Sequence, residues 1–195
     1  MAAKEDILEQ LVEEYLIHRG YFVRHNIKFK PRKDHPDFIA NEDSNHSDID
    51  VIGYHPKLTG PEKIWVVSCK SWQAGFNPTQ KITEIHDGKI ANGREAWKGF
   101  RELVKHKWSE AFIEAIYSAT NSREFTYVTA VTELKGDRTI WEEEISFREA
   151  IAGNPIKLIT LREMLQAVFS ELGTTMAGTE LGRTLQLFKA AGISV

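Results

Sequence analysis

Several classes of protein are excluded by what this sequence has little of. It contains one cysteine, Cys69, which rules out an intrachain disulfide and a cysteine-based zinc site and fits a reducing cytosol. Its longest apolar runs are only a few residues, too short to span a bilayer, and its first residues contain no signal-peptide core. Neither sign of charge dominates, because 25 lysines and arginines face 28 aspartates and glutamates, for a formal charge of −3. We therefore expect a soluble, cytoplasmic protein whose total charge does not indicate a nucleic-acid or membrane partner.

The hydrophobic pattern indicates one α/β domain, since 195 residues are enough for a buried core. Apolar residues three or four apart predict helices over residues 4–19, from about 78 onward, within 93–120, over 161–172 and over 179–191. Runs of β-branched and aromatic residues predict strands over 21–29, 48–54, 63–71, 125–131 and 157–160, of which the second and third form a hairpin. The expected fold is a mixed β-sheet flanked by helices over residues 1–160. A helical extension over 161–195 packs on it or forms a homodimer.

The predicted hairpin carries the residues of greatest chemical interest. Side chains two apart on a strand share a face, so Asp48 and Asp50 lie together on one strand and Ser68 and Lys70 on the next. Carboxylates that face a lysine suit metal-assisted phosphodiester hydrolysis. The hard oxygens bind Mg²⁺ or Mn²⁺, and the lysine orients or activates the attacking water. Asp50 is the first candidate ligand and Asp48 the second, and the backbone carbonyl of Cys69 can reach the same ion.

Over roughly residues 4–131 the sequence resembles the PD-(D/E)xK nuclease superfamily, whose fold is restriction endonuclease-like. The resemblance is carried by Glu9, by the run Gly20-Tyr21-Phe22-Val23, by Asp48-Ile49-Asp50-Val51-Ile52 and by Ser68-Cys69-Lys70. The glutamate and the glycine-aromatic run are similar to those of Holliday-junction resolvases and Mrr-like restriction enzymes. The resemblance implies a metal-dependent endonuclease in which Asp50 binds the metal, Lys70 is the catalytic lysine and Glu9 is an accessory carboxylate.

Ser68 stands at the site position where this superfamily usually has Glu, Asp or Gln. A group of type II restriction endonucleases with S/C-x-K has the missing carboxylate on the following helix, with thirteen residues between it and the lysine. That position is Glu84 in this sequence. The resemblance therefore implies Glu84 as the second metal ligand. An ordinary exposed glutamate remains the alternative for Glu84 and for Glu9, and a lysine at a strand edge remains the alternative for Lys70.

A basic segment precedes the hairpin. Six lysines and arginines and no acidic residue lie within 19–33, and such a segment can hold the phosphates of a nucleic acid. The candidate nucleic-acid contacts are Arg24, Lys28, Lys30, Arg32 and Lys33. We predict a Mg²⁺-dependent endodeoxyribonuclease, with RNA as a possible substrate. The alternative is a DNA-binding or interaction module of the same fold in which the metal site has decayed.

Overall fold

A computed structural model describes residues 6–91 and 93–194 of the chain. The helices are α1 (Ile7–His18), α2 (Ala40–Asp43), α3 (Pro78–His86), α4 (Arg101–Val104), α5 (His106–Thr120), α6 (Thr139–Glu142), α7 (Ile145–Ala150), α8 (Leu161–Glu171) and α9 (Glu180–Ala190). The strands are β1 (Phe22–Phe29), β2 (Ser47–Tyr54), β3 (Ile64–Lys70), β4 (Ile90–Ala91), β5 (Arg94–Glu95), β6 (Thr126–Val131) and β7 (Ile156–Thr160). Within the described residues, none of these helices combines the length and the apolar character needed to cross a membrane.

The centre of the fold is a five-stranded sheet with the strand order β1-β2-β3-β6-β7. Strand β2 is antiparallel to both β1 and β3, whereas β3, β6 and β7 run parallel to one another. The sheet is therefore mixed, and helices flank it, which confirms the predicted fold class. The predicted hairpin is also confirmed, since β2 and β3 pair from Tyr54↔Ile64 to Val51↔Val67.

Helix α1 forms where the apolar spacing predicts it. Leu8, Leu11 and Tyr15 are buried on one face, and the carboxylate of Asp6 caps the helix by accepting from the Leu8 N–H at 2.9 Å. The predicted start at residues 4 and 5 lies outside the described part of the chain. Helix α1 can therefore pack its apolar face on the sheet and place its N-terminus at one edge of it.

Two hydrophobic layers cover the two faces of the sheet. On one face, α1 shares a buried cluster with α8, α9 and residues of β2, β3 and β6. On the other face, the cluster contains side chains of α3 to α7 and is rich in aromatic rings. The helices of the region 161–195 therefore close the core on the α1 side.

The segment between β1 and β2 contains the short helix α2 and is held against α5. The Asp43 carboxylate, 1% exposed, accepts from the Lys107 ammonium at 2.6 Å and from the Trp108 indole N–H at 3.0 Å. It also accepts from the backbone N–H of Ile39 at 2.7 Å. One buried aspartate thus orders a segment whose sequence lacks a helix or strand period.

Candidate functional site

The candidate site lies where β2 and β3 stop pairing. The last pair of the ladder is Val51↔Val67, and beyond it the backbone N–H of Cys69 donates to the Asp50 carboxylate at 2.6 Å. The Asp50 side chain thus takes the place of a backbone acceptor for the Cys69 N–H. The β2–β3 ladder therefore ends beside Asp50, close to Lys70 at the end of β3.

Asp50 lies in an electrostatic environment that favours a cation. Burial raises the pKa of Asp50 above its usual range, and the charges of Asp48 and Asp6 add to the rise. The charge of Lys70 and the hydrogen bond from Cys69 oppose the rise without cancelling it. A half-buried carboxylate with further carboxylates around it gains stability from a bound cation.

Helix α1 brings two more carboxylates to this edge of the sheet. Asp6 accepts from the Ser71 hydroxyl at 2.6 Å, directly after the end of β3. Burial raises the pKa of the Cys69 thiol, and the charges of Asp50, Glu9 and Asp6 raise it further. Glu9 is therefore close enough for its charge to act on Cys69, the residue between Ser68 and Lys70. Asp6 was not predicted as a site residue. An aspartate directly before an apolar helical repeat is typical of a helix N-cap, which is the position that Asp6 has in α1.

Glu102 and Tyr127 also belong to the site and were not predicted. Glu102, on α4, is 6% exposed and accepts a hydrogen bond from the Tyr127 hydroxyl at 2.6 Å. The ammonium of Lys70 lies 5.0 Å from the ring centroid of Phe100, two residues before Glu102. Burial raises the pKa of Glu102, and the charge of Lys70 opposes this rise more than any other group does. The sequence feature that could have indicated a buried Glu102 is its position between the apolar residues Phe100 and Leu103.

Glu84, the implied second ligand, has partners on its own helix and just after it. Its carboxylate accepts from Lys81 at 2.6 Å, from Gln80 at 2.8 Å and from Lys89 at 3.2 Å. The Lys81 hydrogen bond is the main reason that the pKa of Glu84 is lowered to about 2. No hydrogen bond or ion pair joins it to Asp50 or Lys70.

This environment predicts a pH-dependent contribution of Glu84 to stability. Because the pKa falls from 4.5 to about 2 on folding, the stabilisation is complete above pH 4.5 and is lost as the pH falls towards 2. We expect the difference in the free energy of unfolding between the wild type and Glu84→Gln to shrink by about 1 kcal/mol between pH 6 and pH 3. Urea unfolding at both pH values measures it. A constant difference would show that Lys81 and Lys89 do not stabilise the charged form.

Part of the predicted basic segment lines a cleft of about 750 Å³ between the end of β1 and α5. Lys28, Lys30 and Arg32 lie in this cleft, together with Lys107 and Arg123. Arg24 and Lys33 are exposed and do not line it. Cα pairing places Lys28 opposite Asp48, which connects one end of the cleft to the strand that carries Asp50.

A second group of side chains, beside this cleft, could hold a metal ion. Potential ligand atoms of His35, His106 and Glu110 all lie within 4.8 Å of one another. The Nδ1 atom of His35 accepts from the backbone N–H of Asp37 at 3.1 Å, which assigns the ring proton to Nε2. That proton faces Glu110 at 3.4 Å, so a metal at Nε2 would have to displace it. The Glu110 carboxylate also lies 3.6 Å from Nδ1 of His106, so it is close to both rings.

The structure therefore brings Asp50, in the middle of β2, close to Ser68 and Lys70 at the end of β3, with Asp48 and Glu9 nearby. The Ser68 hydroxyl faces the Tyr127 phenol and lowers its pKa, against the larger rise caused by burial and Glu102. Glu84 is bound by neighbours in its own part of the chain. Comparison with protein-family models, with curated proteins and with solved structures finds no match to this chain.

Proposed function

We propose that the protein is a Mg²⁺- or Mn²⁺-dependent endonuclease that hydrolyses phosphodiester bonds of DNA. The observation that carries the proposal is the half-buried carboxylate of Asp50, placed beside Lys70 where two paired strands separate. A divalent ion bound there would act as a Lewis acid and lower the pKa of a bound water. Asp50 would hold the ion. Lys70 would orient the water and offset negative charge on the phosphate.

The cleft lined by Lys28, Lys30 and Arg32 supports DNA as the partner. Lysine and arginine side chains bind the phosphate backbone without regard to sequence, and each neutralised phosphate releases counterions. The cleft begins on β1 opposite Asp48, so a backbone that follows it would lead towards Asp50. These lysines and arginines would give a nucleic acid a basic surface to bind on a chain of net charge −3.

The test is cleavage of a supercoiled plasmid with Mg²⁺ or Mn²⁺, and with EDTA as the metal-free control. We expect metal-dependent nicking or cutting that Asp50→Asn and Lys70→Ala reduce by at least about 100-fold. Asparagine is chosen because its amide oxygen can still accept from the Cys69 N–H. The matched controls are Asp87→Asn and Lys57→Ala, two exposed positions. Full activity in either site variant would refute the proposal, and cleavage of RNA in place of DNA would correct the substrate.

The second candidate function is a DNA-binding or interaction module of nuclease fold whose metal site has decayed. The observation in its favour is Ser68, whose hydroxyl is a poor ligand for Mg²⁺. Such a module would bind DNA and would bind no Mg²⁺ or Mn²⁺ in a manner that depends on Asp50. Calorimetric titration of the wild type and of Asp50→Asn with Mn²⁺ separates the two functions.

A further inference from the structure

A tyrosine hydroxyl lies close to the side chain of Ser68. Tyr127 on β6 pairs with Val66 on β3, two residues before Ser68, so the two side chains share a face of the sheet. The Ser68 hydroxyl opposes the rise that burial imposes on the pKa of Tyr127. The serine side chain is shorter than the Glu, Asp or Gln that the superfamily usually has at this position, and the phenol lies beside it.

The same phenol positions a carboxylate from another element. Tyr127 is fully buried, and its hydroxyl donates to Oε1 of Glu102 at 2.6 Å. Glu102 belongs to α4, which follows β3 by thirty residues and packs over the aromatic face of the sheet. The chain therefore supplies an acidic group beside the position where β3 itself lacks one.

Lys70 lies near the start of α4, because its ammonium is 5.0 Å from the ring centroid of Phe100, the residue that precedes the helix. Lys70 is the leading charged neighbour of both Asp50 and Glu102, and the charge of Asp50 raises the pKa of Glu102. Yet no ion pair of 4.0 Å or less joins Lys70 to either carboxylate. Two carboxylates that share one lysine as their leading charged neighbour offer oxygen ligands of the kind that a divalent cation takes.

We propose that Glu102 is the second metal-binding carboxylate of the site, positioned by Tyr127 and replacing the acidic residue that is missing at Ser68. This inference rests on the proposed function, because it concerns the ion that Asp50 would hold. It assigns to α4 the ligand that the resemblance places at Glu84. Glu84 then has a structural role, in keeping with its bonds to Gln80, Lys81 and Lys89.

The experiment is calorimetric titration of the full chain with Mn²⁺ and with Ca²⁺, without DNA. The variants are Glu102→Gln, Glu84→Gln and Asp50→Asn. Glutamine keeps the shape of Glu102 and can accept from Tyr127, so the change removes mainly the charge. We expect Glu102→Gln to weaken Mn²⁺ binding by at least about 10-fold and Glu84→Gln to change it by less than about 2-fold. The rise in melting temperature on adding Mn²⁺ should shrink in Glu102→Gln alone of the two glutamate variants.

Each result separates the inference from the proposed function. Unchanged Mn²⁺ binding in Glu102→Gln, with binding lost in Asp50→Asn, overturns the role of Glu102 and leaves the nuclease proposal standing. Loss in Glu84→Gln and not in Glu102→Gln returns the ligand to α3. A wild type that binds no Mn²⁺ overturns both proposals. If Glu102→Gln does not fold, Glu102→Asp serves instead, because it keeps the charge and withdraws the carboxylate by one methylene. Binding as tight as the wild type in that variant contradicts the inference.

Discussion

Asp43→Ala is expected to lower the free energy of unfolding by about 3–5 kcal/mol, because it removes one partner of a buried ion pair. Lys107, which is 8% exposed, would lose a carboxylate at 2.6 Å and keep only the Asp37 carbonyl at 2.9 Å. Burial alone would raise the pKa of Asp43, but the hydrogen bonds from Lys107, the Ile39 N–H and Trp108 outweigh it and lower the pKa. The folded state therefore favours the charged form of Asp43.

Urea unfolding near pH 7 measures this loss. Glu42→Ala is the matched control, since Glu42 is the exposed neighbour of Asp43 on the same short helix, and we expect a change within about 0.5 kcal/mol. Asp43→Asn should fall between the two, because the amide can accept hydrogen bonds without countering the Lys107 charge. A loss below about 1 kcal/mol in Asp43→Ala would mean that Lys107 finds another partner or reaches water.

Trp141→Ala is expected to cost a similar amount, about 3–5 kcal/mol, through the cavity that it leaves. The indole is fully buried and meets the rings of Phe76, Phe100 and Phe147 at centroid distances of 4.9, 4.8 and 4.9 Å. Its N–H donates to the Thr129 hydroxyl at 2.9 Å, so the change also leaves a buried hydroxyl without this partner.

The same unfolding assay tests this prediction. Trp141→Phe should cost less, because it keeps most of the ring contacts and loses mainly the bond to Thr129. Trp72→Ala is a second control, since Trp72 is 37% exposed and stacks on Phe76 from the outside of the cluster. Equal losses at Trp72 and Trp141 would contradict the role assigned to the buried indole. Because Phe100 also lies beneath the Lys70 ammonium, Trp141→Ala should weaken cleavage as well.

The longer helices and strands could be predicted because their apolar residues recur at regular intervals along the sequence. Apolar residues mark α1, β2 and β3 over seven residues or more. The predicted bounds of these three elements agree with the structure to within a few residues. The segment 93–120 was predicted as one or two helices, whereas the structure has a short strand, a 3-10 turn and then α4 and α5. Extended backbone at Lys105 separates the two helices. Elements of two to six residues, such as β4, α6 and α7, are too short to show a period.

The site was predictable only where its residues are close in sequence or follow a strand period. Asp50 and Lys70 lie on neighbouring strands of a hairpin, so alternation and the turn bring them together. Glu102 reaches the same place from α4 through Tyr127, a contact between residues far apart in the sequence that no spacing rule specifies. Glu84 illustrates the reverse case. A spacing rule selects it, but nearby lysines compete for its carboxylate.

The packing of α1 on α8 and α9 has a kinetic consequence during synthesis. Roughly 140 residues separate the end of α1 from the start of α8, yet both helices belong to one buried cluster. At about 5–20 residues per second, a ribosome needs roughly 7–30 s to make that intervening chain. Throughout this interval Leu8, Leu11 and Leu16 lack the side chains of α8 and α9 that complete their buried cluster in the finished protein. Nascent α1 is therefore the segment that we expect a holding chaperone to bind.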